Sequence, residues 1–292
     1  MKMIRPTSVT DSILTSSSVA ENEFSAWSSA TTYSLDQQVI KSHRIYKSLQ
    51  ASNTNHDPIS SPTWWLDIGP TNRWAMFDNA VGTLTTASGS ITVTLAPGRV
   101  DSVALIGVDA STVVVEMTNG TTVYSKTVPM IDDSSVTDWY LYFFEPVRTK
   151  DYVVLTDLPV IGEASITVTI SKSSGNVSCQ ALIVGMKSEI GGMLSSPSIG
   201  IVDYSRKSTD DFGVTTLVQR SFAKKLDCKL ILDNSEVDRV VSALSSVRAT
   251  PIVWVGSDRF STMVVYGFFR DFSIDIAYAR NSYCSLNIEG LT

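Results

Sequence analysis

Histidine, cysteine and long apolar runs are what this chain has least of: 2 histidines and 3 cysteines stand in 292 residues. Cys179, Cys228 and Cys284 are odd in number, far apart and form no CxxC pair, which argues against both a zinc knuckle and a disulfide framework. Each reads as a small buried hydrophobe on a strand. His43 and His56 fall in polar, loop-like sequence with no further ligand at metal spacing, so neither a metal nor a cofactor is indicated. Basic residues are in deficit too, 23 Lys+Arg against 29 Asp+Glu for a net charge of -6, which speaks against a phosphate-backbone grip and against nucleic acid as a partner. No stretch approaches the roughly 18 apolar residues of a membrane helix. The opening MKMIRPTSVTDSILTSSSV lacks the apolar run of a signal peptide, so no membrane insertion is expected and folding in a reducing cytoplasm is.

Catalytic signatures are missing as well. No GxSxG, HExxH, Walker A or GxGxxG pattern occurs. The pairs Asp132-Asp133 and Asp210-Asp211 are adjacent on one segment and poorly placed to flank a glycosidic bond from two sides, so they read as turn residues. No catalytic residue is assigned and no enzyme is expected; a polysaccharide-degrading enzyme is disfavoured by the lack of an acid/base pair.

What is present is a globular, β-forming composition: 43% hydrophobic against 18% charged residues is too apolar for wholesale disorder. At about 100–200 residues per domain the length suggests two or three units. Residues 1–23 are rich in Ser and Thr without a sustained period and read as an arm that stays loose or orders on a partner. Residues 24–72 form a small aromatic module closed by the Gly69-Pro70 turn signal.

Residues 73–192 carry eight apolar, β-branched runs: ITVTLAP, SVALIGV, TVVVEM, TVYSKTV, WYLYFFE, YVVLTDL, ASITVTI and VSCQALIVGM. Asn119-Gly120 between two of them is the strongest hairpin signal in the chain. Eight strands at this spacing suggest a β-sandwich of the jelly-roll kind. Residues 193–292 mix periods. Val237, Val240, Val241, Leu244 and Val247 make one amphipathic helical stripe, with Asn234 or Ser235 as its N-cap and Pro251 as its stop, among strands such as PIVWVG and TMVVYGFFRDFSIDIAY. That order is an α+β domain with one helix on a sheet face. Arg220, Lys224 and Lys225 read as a solvated edge or an inter-subunit rim.

The aromatic module allows two readings. Trp27, Tyr33, Tyr46 and one of Trp64 or Trp65 can be its own core, since so small a unit needs every large side chain. The other ring of the tandem pair is then the candidate for exposure, because neighbours on an extended segment point to opposite faces. Alternatively Trp64, Trp65 and Tyr46 offer flat faces to a sugar ring while Asn55 and Asp57 bond its hydroxyls, which makes these five the candidate carbohydrate-binding residues.

The stretch AWSSATTYSLDQQVIKSHRIYKS, with Ala26-Trp27, Tyr33, Val39 and Tyr46, resembles the start of the small chitin-binding modules appended to bacterial chitinases and cellulases. Its Trp64-Trp65 pair stands where those modules usually have a single packing tryptophan. On a wider scale, the succession of such a module, GPTNRWAMFDN, VTLAPGRVDSVALIGVDAS, TPIVWVG and SYCSLNIEGL resembles proteins of the tail-gene clusters of tailed bacteriophages. The resemblance implies a galactose-binding-like jelly roll and a C-terminal domain similar to the tail-tube and distal-tail fold. It further implies a virion structural protein of the tail tip or baseplate, made in the host bacterial cytoplasm. Its partners would be other copies of itself, neighbouring tail proteins and, through the module, host-surface glycans. Apolar strands such as MVVYGFF would be covered by ring partners. A stand-alone, non-catalytic carbohydrate-binding protein is the alternative.

Overall fold

The computed structural model describes residues 1–132, 138–144, 148–194, 197–257, 261–276 and 280–291. The chain is mainly β, with antiparallel sheets, and divides into two compact units. One consists of Ser8–Ile183 and the other of Met1–Thr7 with Val184–Thr292. Among the described residues no helix is long and apolar enough to cross a membrane.

In the unit of residues 8–183 a five-stranded sheet runs in the order Thr121–Pro129, Thr112–Asn119, Ser165–Cys179, Thr85–Leu95, Leu14–Ser17. Its inward face follows from strict alternation. Ile91, Val93 and Leu95 pair with Ile170, Val168 and Ile166, which in turn face Val113, Val115 and Met117. These nine side chains form three apolar rungs and all are buried. Burying each contributes about 1.5–3 kcal/mol, so the ladder holds the sheet. The intervening threonines face the other way, with Thr94 and Thr167 sharing a hydroxyl hydrogen bond of 3.1 Å. The hairpin expected at Asn119-Gly120 is there, with Asn119 opposite Thr121 and Gly120 at φ 73°, a conformation that a side chain would strain. A second pairing joins Ser102–Ile106 to Tyr152–Leu155.

Two of the eight expected strands are redrawn. WYLYFFE is not a strand: Trp139–Phe144 is helical, and Glu145 lies outside the described residues. Aromatic β-preference expresses packing on a pleated, half-covered surface. Here Trp139, Tyr140, Tyr142, Phe143 and Phe144 are all exposed, and Ile131–Asp132 pairs with Arg148–Thr149. VSCQALIVGM is broken at Gln180: Val177–Cys179 completes the strand from Ser165, across a register shift at residues 171–176, and Ala181–Glu189 is separate.

In the other unit, Lys2–Pro6 lies between residues 185–189 and Ile252–Val255, bonded to both. Met3 and Ile4 are fully buried, and the amino terminus donates to the Gly191 carbonyl at 2.6 Å. Residues 1–23, expected as an arm that stays loose or orders on a partner, are strand at 2–6 and again at 14–17, paired within their own chain. Val264–Asp275 pairs with Ile252–Val255 and with Asn281–Gly290, which pairs with Phe222–Asp233. The run MVVYGFF is therefore occupied within its own sheet, with Met263, Val264 and Val265 buried, because strands of the same chain lie on both sides. The run is thus not a free edge, while Tyr266, Phe268 and Phe269 stay half-buried. Phe222–Asp233 is likewise paired on both sides, Lys225 facing Gly200 and Glu289, so Lys224 and Lys225 are not on an edge.

The amphipathic helix is Val237–Ser246, entered through a 3-10 turn at Asn234–Glu236. The cap is Asp233, whose carboxylate accepts from the Ser235 amide, one residue before the expected Asn234 or Ser235. Val240, Leu244 and Val247 enter the core beside Trp254 and Leu230, whereas Val241 stays exposed.

Candidate ligand-binding surface

The aromatic module is a three-stranded sheet, Gln38–Lys41, Arg44–Ser48 and Trp65–Pro70, with a two-residue pairing of Thr32–Tyr33 and Asn53–Thr54. Its core is Tyr33, Val39, Tyr46 and Trp65, at 3%, 0%, 7% and 2% exposure, against which Trp27 and Trp64 pack from the side. Tyr33 and Trp65 meet edge to face at 5.2 Å, and the Trp65 indole N–H donates to the His56 carbonyl at 2.9 Å. A ring buried in the module's core has no face to offer a ligand. Tyr46 and Trp65, two of the five candidate carbohydrate-binding residues, are therefore core residues.

Trp64 lies in the turn just before the strand that begins at Trp65, its amide donating to the Ser61 carbonyl at 3.0 Å. It is half-buried and stacks on the His56 imidazole at 3.7 Å and 11° between planes. His56 is held in turn by the fully buried Asn53, whose side chain also donates to the Ser48 hydroxyl at 2.9 Å. One face of Trp64 is thus occupied. Asn55 is exposed and left-handed at φ 58°, in the turn that precedes His56. Asp57 is bound to the Lys41 ammonium and accepts from the Ile59 amide at 2.9 Å. The Lys41 hydrogen bond holds its carboxyl below the usual carboxylate range.

Two contacts had no signal in the sequence. The Lys41 ammonium sits 3.9 Å above the centre of the Trp27 ring. His56, read there as an exposed loop histidine, forms the stacking base for Trp64. Glu21, Phe24, Trp27, Ile40, Lys41 and His43 line an open groove of about 390 Å³ on the same module. Its charges are matched internally, Lys41 by Asp57 and His43 by Glu21.

Asp210 is a turn residue whose carboxylate accepts from the amides of Phe212 and Val214, at 3.0 and 2.8 Å. Asp132 is on a short strand and Asp133 lies outside the described residues. Cys179 and Cys228 are buried and their thiols are pushed up to about 12, Cys284 to about 11, by loss of solvation, which makes them poor nucleophiles. Among the described residues no group of three or more His, Cys, Asp or Glu is gathered for a metal.

In the unit of residues 184–292 a hairpin carries exposed apolar side chains. Arg206–Thr209 pairs with Thr215–Val218, and every residue of both strands is exposed. Phe212 at its tip is 92% exposed, Leu217 75% and Val214 61%, and Ile201 on the strand leading in is 63% exposed.

No protein-family model matches the chain, and no curated protein matches it in sequence.

Proposed function

We propose that this chain is a structural and assembly protein of the tail tip or baseplate of a tailed bacteriophage, working by packing against copies of itself and neighbouring tail proteins, without catalysis. The observation that carries the reading is the hairpin at 206–218, where Phe212, Val214 and Leu217 stand in solvent on a two-stranded ribbon. Apolar surface of this kind on a free ribbon is a site for another polypeptide. In this reading the unit of residues 184–292 is the tail-tube-like assembly domain, the five-stranded sheet belongs to a galactose-binding-like jelly roll, and the module at 24–72 faces host glycans. The resemblance of the sequence to tail-cluster proteins supports each of these assignments.

A stand-alone, non-catalytic carbohydrate-binding protein is the second reading. It is favoured by Trp64, half-buried and backed by His56. Size-exclusion chromatography with light scattering, together with retention on chitin and on host lipopolysaccharide, separates the two. The assembly reading expects rings or concentration-dependent oligomers, whether or not glycan is retained. A monomer at all concentrations that is retained by glycan would replace it with the second.

A further inference from the structure

His43 occupies a position that its backbone does not favour. With Ser42 it forms the two-residue turn between Gln38–Lys41 and Arg44–Ser48, and both residues are left-handed, at φ 49° for Ser42 and 65° for His43. Asn-Gly is the natural occupant of such a turn, so a histidine there points to a use for its side chain.

That side chain gathers three other segments. Its Nε2 lies 2.9 Å from an Asp11 carboxylate oxygen, and its Nδ1 lies 3.0 Å from Glu21 Oε1. Its ring stacks on Trp74 at 4.2 Å. Its carbonyl accepts from the Thr71 amide at 2.9 Å, while the Thr71 hydroxyl donates to the same Glu21 carboxylate at 2.9 Å. Glu21 stands where the chain enters the module and Thr71–Trp74 where it leaves. The exit is fixed further by Asn72, which takes Glu23 on its amide and exchanges side-chain bonds with the backbone of Thr86.

A neutral imidazole has one N–H and one lone pair. With carboxylates on both nitrogens, only the imidazolium donates to both; in the neutral ring one lone pair would face a carboxylate oxygen. From this geometry we infer that His43 is a proton-operated latch, closed when the ring is charged, that ties the entry and exit of the aromatic module to the loop carrying Asp11.

The surroundings agree with that assignment. Asp11 comes from the turn before Leu14–Ser17 and Glu21 from the entry segment. On the histidine's own hairpin Lys41 is held by Asp57 and Arg44 by Asp67, and the exit segment brings Arg73 next to the stacked Trp74. Burial is the largest influence and opposes the charge, but the bonds to Glu21 and then Asp11 outweigh it and leave the histidine raised above its ordinary 6.5. The sign follows. A group whose folded value is raised contributes in full below its unfolded value and loses the contribution as pH rises through the folded one.

The test is a proton NMR titration of the imidazoles of the full chain from about pH 5 to 9, with the His56→Gln variant assigning the two signals. Amide exchange at residues 43–45 and 71–74, corrected for intrinsic rates, is followed over the same range. The latch expects the His43 midpoint above 6.5 and exchange in these segments about tenfold faster on its alkaline side. His43→Asn suits the left-handed turn but has no cation, and should show the fast exchange at every pH. A His43 midpoint at or below the ordinary value, or protection that is the same on both sides of the midpoint, overturns the proposal. Because both readings come from the native chain, a variant that fails to fold does not prevent the decision.

Discussion

The aromatic module and the hairpin at 206–218 are both small antiparallel ribbons rich in large apolar side chains, yet they dispose of them in opposite ways. The module turns Tyr33, Tyr46 and Trp65 inward around Val39 because its third strand and the Asn53–Thr54 pairing close over the first two. The hairpin has only its two strands and the turn held by Asp210, so Phe212, Val214 and Leu217 remain outside. An isolated two-stranded hairpin is marginal in water. Burial therefore depends on how many times the chain passes a place, and composition does not decide it. A third pass gives the module a core of its own, while the hairpin stays bare, which is why it carries the assembly reading.

The largest effect that would test this contrast is at Trp65. Trp65→Ala removes the ring on which Tyr33 rests and should cost about 3–5 kcal/mol, seen as local unfolding of residues 26–70 by denaturant titration and amide exchange. A loss below about 1 kcal/mol would mean that the module has no core of its own. Trp64→Ala should be milder, about 1 kcal/mol for one half-buried stacked ring. Measured beside it, glycan retention distinguishes a packing ring from a binding one: retention that survives the substitution removes Trp64 from the carbohydrate reading. Smallest in stability is the pair Phe212→Ser with Leu217→Ser. Unfolding of the monomer should shift by no more than about 0.5 kcal/mol, while concentration-dependent association on a size-exclusion column is lost. A large destabilisation of the monomer would show that the hairpin is covered from within, and unchanged association would move the contact to another surface.

Much of the fold was legible because it rests on local periods. Alternation through Ile91, Val93 and Leu95 and through Val113, Val115 and Met117 marks strands, and the stripe of Val240, Leu244 and Val247 marks a helix. Asn119-Gly120 marks a turn. Lys2–Pro6 was not legible, since its partners are at residues 185–189 and 252–255, and a short run beside a Ser/Thr-rich segment shows no sign of them. WYLYFF has strand-like residues yet is helical with its rings exposed, because β-preference needs a pleated, half-covered surface to act on. Of the candidate site, the aromatic residues were visible and their roles were not: the choice between Trp64 and Trp65 turned on which ring met Tyr33.

By itself the sequence determined that this is a β-rich chain with one amphipathic helix, three isolated thiols and an aromatic-rich segment near its beginning, because composition and short-range period are properties of neighbours along the chain. The tertiary structure alone decided which rings are covered, that MVVYGFF is an interior strand while the hairpin at 206–218 is bare, and that His43 lies between two carboxylates. Those outcomes depend on contacts between residues distant in sequence, and burial and charge pairing are set by whatever arrives on the other side.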